Sequence, residues 1–302
     1  MLLPLLTLII TSCGGGGDAP AAQASSKQAP AAQPAQVQRE GILFAITPHQ
    51  ALTPGEEDGF GLDPIALITR GGLRNTWDVE SDSVFAARYF APGTRYDVRV
   101  GGAEAGEASV RGVIEPACQE RVAGADVRLS RTLPAGWEGL ASDAFGAGAA
   151  QPVVRPLTSQ EQGWLAALAD SIHASHRIPG AARAAVEGER LFAVTVPGVQ
   201  GPVLVGTFNV TVEDGENQHL YNQLLVAEAR GGGAYQPAYV FHERDDGDVG
   251  VRSFMDAADL DGDGAPELVL RAAYNDSWGY AVLKRGAEGW TEIYQGGGGG
   301  GC

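Results

Sequence analysis

The sequence predicts an α+β fold that is mostly β, in which a small N-terminal β-rich domain precedes a C-terminal antiparallel β-meander domain with one packed helix. Three observations predict it. Short apolar runs rich in Val, Ile, Leu, Phe and Tyr recur between Gly-, Asp- and Asn-containing turns, which is the pattern of strands. One segment combines a capping box with apolar residues at helical spacing. No stretch repeats with a fixed period, which argues against solenoids and propellers. At 302 residues and 44% hydrophobic content the chain can bury a sizeable core. Its net charge of -16 disfavours nucleic acid and anionic headgroups and favours cations or basic partners.

The elements follow in chain order. Met1 to Ser12 is mostly Leu and Ile, carries no side-chain charge and is too short to span a bilayer as a helix, so residues 1–12 read as a signal peptide. The run Ile10-Thr11-Ser12-Cys13 resembles a bacterial lipobox. That resemblance implies diacylation of Cys13 and a chain held by lipid at the cell envelope, on the periplasmic face of the outer membrane or at the cell surface. Residues 13–40 are built mainly from Gly, Ala, Gln, Pro and Ser and bury too little surface to order themselves. As a coil, Gly14 to Gln38 has a root-mean-square reach of roughly 25–30 Å, enough to hold a globular domain off a membrane.

Residues 41–150 read as the small β-rich domain. Its strands centre on Ile42–Ile46, Ile65–Ile68, Tyr96–Val100 and Ala108–Ile114, with turns at Pro92-Gly93 and Gly101-Gly102. Residues 155–295 form the second region. Thr158-Ser159-Gln160-Glu161 is a capping box, and Trp164, Leu165, Leu168 and Ile172 share one face of the helix it opens, which should stop before Pro179-Gly180. A shorter helical piece at Ala181 to Glu187 follows, and then an antiparallel meander of six or seven strands from Leu191 to Tyr294. Residues 296–302 read as a flexible Gly-rich tail ending in Cys302.

The chemistry concentrates at Asp259-Leu260-Asp261-Gly262-Asp263-Gly264-Ala265-Pro266-Glu267. Unit charges about 4 Å apart oppose one another by about 1 kcal/mol in water and more near a protein surface, so four carboxylates within nine residues call for a cation. Calcium takes six to eight oxygens, and Asp at relative positions 1, 3 and 5 supplies three of them from one turn, with Gly264 reversing the backbone. An EF-hand would place Glu at position 12, where Leu270 stands. The run resembles instead the FG-GAP or VCBS-type repeat, in which a strand leads into the acidic loop and a hydrophobic strand leaves it. That resemblance implies Ca2+ bound in a β-hairpin loop by Asp259, Asp261, Asp263 and Glu267 and by the backbone at Ala265. Propellers of that family need several copies, and one copy is expected to staple a turn within a single sheet domain.

Other constellations leave alternatives open. Cys118 and Cys302 form a possible disulfide in an oxidising compartment, or stay a buried thiol and a free tail thiol. His173 and His176 are spaced to meet one metal, or are polar groups at a helix end. Trp278 and Tyr280 share a strand face, either as a sugar- or peptide-stacking platform or as core. The motifs GxSxG, SxxK and GxxxxGK are missing, so the sequence favours no enzymatic activity. The expected function is an envelope-anchored lipoprotein with a structural Ca2+ loop that acts as a binding or interaction module toward an unidentified protein or glycan. The alternative is a secreted metal-dependent hydrolase acting on envelope polysaccharide or peptide.

Overall fold

The computed structural model describes residues 40–49, 59–78, 81–114, 124–145, 151–215, 217–244 and 250–300. The fold is α+β and mostly β. The first seven strands are β1 (Gly41–His49), β2 (Gly59–Thr69), β3 (Gly72–Asn75), β4 (Arg95–Val100), β5 (Ala103–Ile114), β6 (Gly124–Leu129) and β7 (Gly139–Ser142). They hydrogen-bond in the order β1-β7-β4-β5-β6-β2-β3, and an extra β1–β2 pairing closes the sheet into a six-stranded barrel with β3 attached at its side. Strand alternation dictates the filling. Ile42, Phe44 and Ile46 point into the barrel, where they meet Tyr96, Val98 and Val127, and helix α1 (Asp82–Tyr89) contributes Phe85 and Tyr89. The intervening Leu43 and Ala45 face outward yet are fully buried, because a second structural layer covers them.

That layer is a four-stranded sheet, β13 (Val251–Ala258), β14 (Glu267–Ala273), β15 (Ser277–Gly286) and β16 (Gly289–Gly300), paired antiparallel in sequence order. Before it come β8 (Val154–Pro156), β9 (Gly188–Val194), β10 (Val203–Asp214), β11 (Asn217–Ala229) and β12 (Tyr235–Arg244), which form a five-stranded sheet ordered β12-β11-β10-β9-β8. The meander expected as one sheet is therefore two. The reason is burial: Val194, Val205, Leu224 and Val226 of one sheet pack face to face with Phe254, Leu268, Leu270 and Leu283 of the other. The opposite face of β13–β16 presents Met255, Val269, Tyr280 and Val282 to Leu43, Ala45, Ile65 and Leu140 of the barrel wall. Covered on both sides, β14 reads as the continuous apolar run Leu268-Val269-Leu270 rather than as an alternating one.

The outer face of the five-stranded sheet is covered by helix α2 (Ser159–Ser175), whose Leu165 and Ala169 meet Leu204, Phe208 and Leu225. The capping box is in place: Thr158 Oγ1 accepts the Glu161 N–H at 3.3 Å, and Glu161 Oε2 accepts the Thr158 N–H at 2.8 Å. Arg155 then grips Glu161 with two bonds of 2.7 Å, which hold that carboxyl down at about 2. A single turn, α3 (Gly180–Arg183), follows. Among the described residues, helix, sheet, sheet and barrel are stacked into one compact unit.

Residues 296–300, expected as a flexible strip, complete β16 instead, pairing Gly296 with Tyr280, Gly299 with Trp278 and Gly300 with Ser277. Lack of side chains is what lets them pack. A Cβ on Gly297, where φ is +64°, would sit 2.6 Å from the Ile65 carbonyl oxygen of β2. Cys13, Cys118 and Cys302, with the leader and the tether up to residue 39, lie outside the described residues. Among the described residues no helix is long and apolar enough to cross a membrane.

Candidate metal centre

The acidic run forms the loop of the β13–β14 hairpin, between Ala258 and its partner Glu267. Leu260 is buried against the barrel-side core and pins the loop from below. Short polar side chains then fold the backbone around themselves. Asp259 accepts the N–H groups of Gly262 at 2.7 Å and Gly264 at 3.0 Å, Asp263 accepts that of Ala265 at 2.8 Å, and Glu267 Oε2 accepts that of Leu260 at 2.8 Å. Gly262 and Gly264 take positive φ, which a reversal this tight needs.

The loop brings Asp259, Asp261 and Glu267 together, with one oxygen from each lying within 4.8 Å of the others. This triad can hold a metal ion. Glu267 is nearly inaccessible to solvent, and its Oε1, unlike Oε2, receives no hydrogen bond from the loop backbone. Burial pushes the Glu267 carboxyl up to about 7, with the nearby Asp261 charge adding to the shift. Burial also raises Asp259, and the neighbouring Asp263 and Asp261 charges act in the same direction. A buried carboxylate beside two further carboxylates suits a hard cation, which would neutralise the crowding. Asp263 stands outside the triad on the exposed side, and Ala265 contributes to the turn through its N–H.

One participant is absent from the sequence reading. Lys284 of β15 directs its ammonium at Asp261, at Asp263 Oδ2 at 2.7 Å and at Glu267 Oε1 at 3.2 Å. Register explains the meeting: Leu268 pairs with Leu283, so one step further along the ladder puts Lys284 opposite Glu267. Burial works against the charged ammonium, but hydrogen bonds to Asp261 and Asp263 raise the Lys284 pKa overall. The Lys284 bond in turn lowers Asp263, against the pull of its own burial. Lys284 is one of only two lysines in the chain, a rarity that is the one sequence signal pointing to it. Of the acidic residues upstream, Asp245, Asp246 and Asp248 lie outside the described residues.

The remaining candidates are placed as follows. His173 is buried rather than at a frayed helix end, and its Nδ1 lies 3.2 Å from Nε2 of His242 on β12, while His176 stacks on His242 at 3.8 Å. Sequence showed the first pair but not the partner contributed by β12. Trp278 and Tyr280 do share a face, and both donate to Asp63 of β2. Tyr280 is fully buried, whereas Trp278 is only partly so. No protein-family model, curated protein or solved structure matches this chain.

Proposed function

We propose that this chain is a calcium-stabilised binding module of the cell envelope, lipid-anchored through Cys13, in which Ca2+ fastens the β13–β14 hairpin. The observation that carries the ion is the convergence of the buried Glu267 carboxylate with Asp259 and Asp261, one oxygen of each within 4.8 Å of the others. Those three side chains would hold it, and the FG-GAP or VCBS resemblance adds Asp263 and the Ala265 backbone. The ion supplies local rigidity: it ties the loop's entry at Asp259 to its exit at Glu267. The anchor and the function as an interaction module rest on the lipobox-like Ile10-Thr11-Ser12-Cys13, the Gly- and Ala-rich segment behind it and the missing catalytic motifs.

Lys284 supports a second reading, in which its ammonium is the loop's permanent counter-charge and no ion binds. Charge favours calcium. One ammonium offsets only one of four loop carboxylates, and a divalent ion on three of them offsets more. Thermal unfolding with calcium and with chelator separates the readings. A ligand at about 100 times its Kd adds about 2.7 kcal/mol of stability, so calcium at millimolar concentration should raise the Tm of the wild type and leave Asp261→Ala unmoved. Equal melting temperatures of the wild type in calcium and chelator would establish the lysine reading instead.

A further inference from the structure

We propose that the cleft between the side of the barrel and the β15–β16 hairpin is a binding site for a neutral saccharide. The cleft has a volume of about 420 Å³ and lies at the end of the β13–β16 sheet away from the acidic loop, where β14 runs out and β15 begins. It falls within the range of about 300–1,000 Å³ common for small-ligand sites. Four aromatic residues line it: Trp77 from the 3₁₀ turn after β3, Tyr274 from the β14–β15 turn, and Trp278 and the buried Tyr280 from β15. Asn75 and Gln295 add two side-chain amides and Ser277 a hydroxyl.

The lining chemistry selects the ligand. None of the residues lining the cleft is Asp, Glu, Lys, Arg or His, although the chain as a whole carries a net charge of -16. A phosphorylated or carboxylated ligand would find no counter-charge there, and a cationic one no carboxylate at the wall. An acyl chain would leave the amides unsatisfied. A pyranose matches both parts of the lining. Its C–H face is apolar and weakly positive, complementary to the negative face of an indole or phenol ring, and its hydroxyls can exchange hydrogen bonds with amides.

The platform is also set before any ligand arrives. The Trp278 indole N–H donates to Asp63 Oδ2 at 2.5 Å, the Tyr280 hydroxyl donates to the same oxygen, and the backbone of Asn75 to Trp77 is turned by the Asn75 side chain accepting the Trp77 N–H at 3.1 Å. The far wall is the glycine run of β16, where a side chain on Gly296 would strike Asn75 and Tyr294. Absence of side chains keeps the cleft open and lets a ring approach the backbone. Rigid aromatic anchors in a preformed site reduce the ordering cost of binding. The inference gives the binding module a ligand class and rests on that reading, but not on calcium.

Tryptophan fluorescence and calorimetric titration of the full chain with cellotriose, maltotriose and N,N′,N″-triacetylchitotriose test it, with trialanine as the neutral peptide control. At least one saccharide should saturate at or below millimolar concentration. Trp77→Ala should weaken that binding about tenfold or more, the scale of one lost stacking contact. Trp77 is 38% exposed, so this variant keeps the core, and circular dichroism with an unchanged calcium-dependent Tm verifies its fold. Saturation by trialanine alone, silence from all three saccharides with folded wild type, or wild-type affinity in Trp77→Ala would overturn the assignment. Because Tm in calcium is read on the same samples, loss of saccharide binding and loss of calcium binding are told apart.

Discussion

Single side chains set the electrostatics of the molecule, and Lys284 shows how. Its ammonium sits against Asp261, Asp263 and Glu267, two of which belong to the triad that could hold a metal ion, so an ion bound there would compete with it. Lys284→Met should therefore tighten calcium binding about tenfold, the equivalent of about 1.4 kcal/mol. It should also destabilise the calcium-free protein by about 1–2 kcal/mol, a figure discounted for the partial exposure of the lysine. Calorimetric titration paired with urea unfolding in chelator measures both, and unchanged calcium affinity would show that the ammonium and the ion do not compete. His173 gives a different residue-scale effect. Burial lowers its pKa to about 4, with the His242 and His176 rings and Arg183 acting in the same direction and Asp170 opposing. A folded-state pKa below the unfolded value of about 6.5 means that the unfolded chain binds the extra proton first. This contribution to stability is complete above about pH 6.5 and is lost as pH falls toward 4, amounting to on the order of 2–3 kcal/mol. Replacing His173 with Leu should flatten that segment of the stability-versus-pH curve, and a curve parallel to wild type would contradict the assignment.

Elements are positioned by what their neighbours leave room for. The terminal part of β16 illustrates this, since five consecutive glycines have no strand propensity of their own. They are ordered by β15 on one side and β2 behind, at separations that a methyl group would violate. Gly297→Ala should cost about 2–3 kcal/mol, from a Cβ 2.6 Å from the Ile65 carbonyl oxygen combined with the left-handed φ. Gly264→Ala in the acidic loop carries the φ penalty alone, about 1 kcal/mol, because nothing lies within 4 Å of its would-be Cβ. Denaturant unfolding of the two variants orders them, and equal losses would remove the packing argument. Helix α2 is the contrasting case: its start is encoded locally by Thr158 and Glu161, and the structure adds Arg155 from β8. The β13–β14 hairpin lies between these extremes, with a loop written in the sequence and a counter-charge written into a third strand.

At the scale of the whole molecule, the four-stranded sheet is the shared layer. It packs on the five-stranded sheet through one face and on the barrel through the other, so neither neighbour has a complete core without it. The intact chain should accordingly melt in one transition. A fragment of residues 41–150 would expose Leu43, Ala45, Ile65 and Leu140 and should bind a hydrophobic dye or aggregate. A soluble, dye-silent fragment with its own cooperative transition would show that the barrel is independent of the sheet. The sequence by itself determined the strands at Ile42–Ile46, Ile65–Ile68 and Tyr96–Val100, the capped helix at Thr158 and the acidic hairpin loop. Each depends on spacing between residues near one another in the chain, where alternation, capping and charge crowding act directly. Only the tertiary structure decided that the meander splits into two sheets, that the glycine tail is a strand, that Lys284 faces the carboxylates and that Trp77 and Trp278 share a cleft. Those outcomes join residues far apart in sequence, and they follow from which faces must be covered once the chain is compact, a condition that no local pattern encodes.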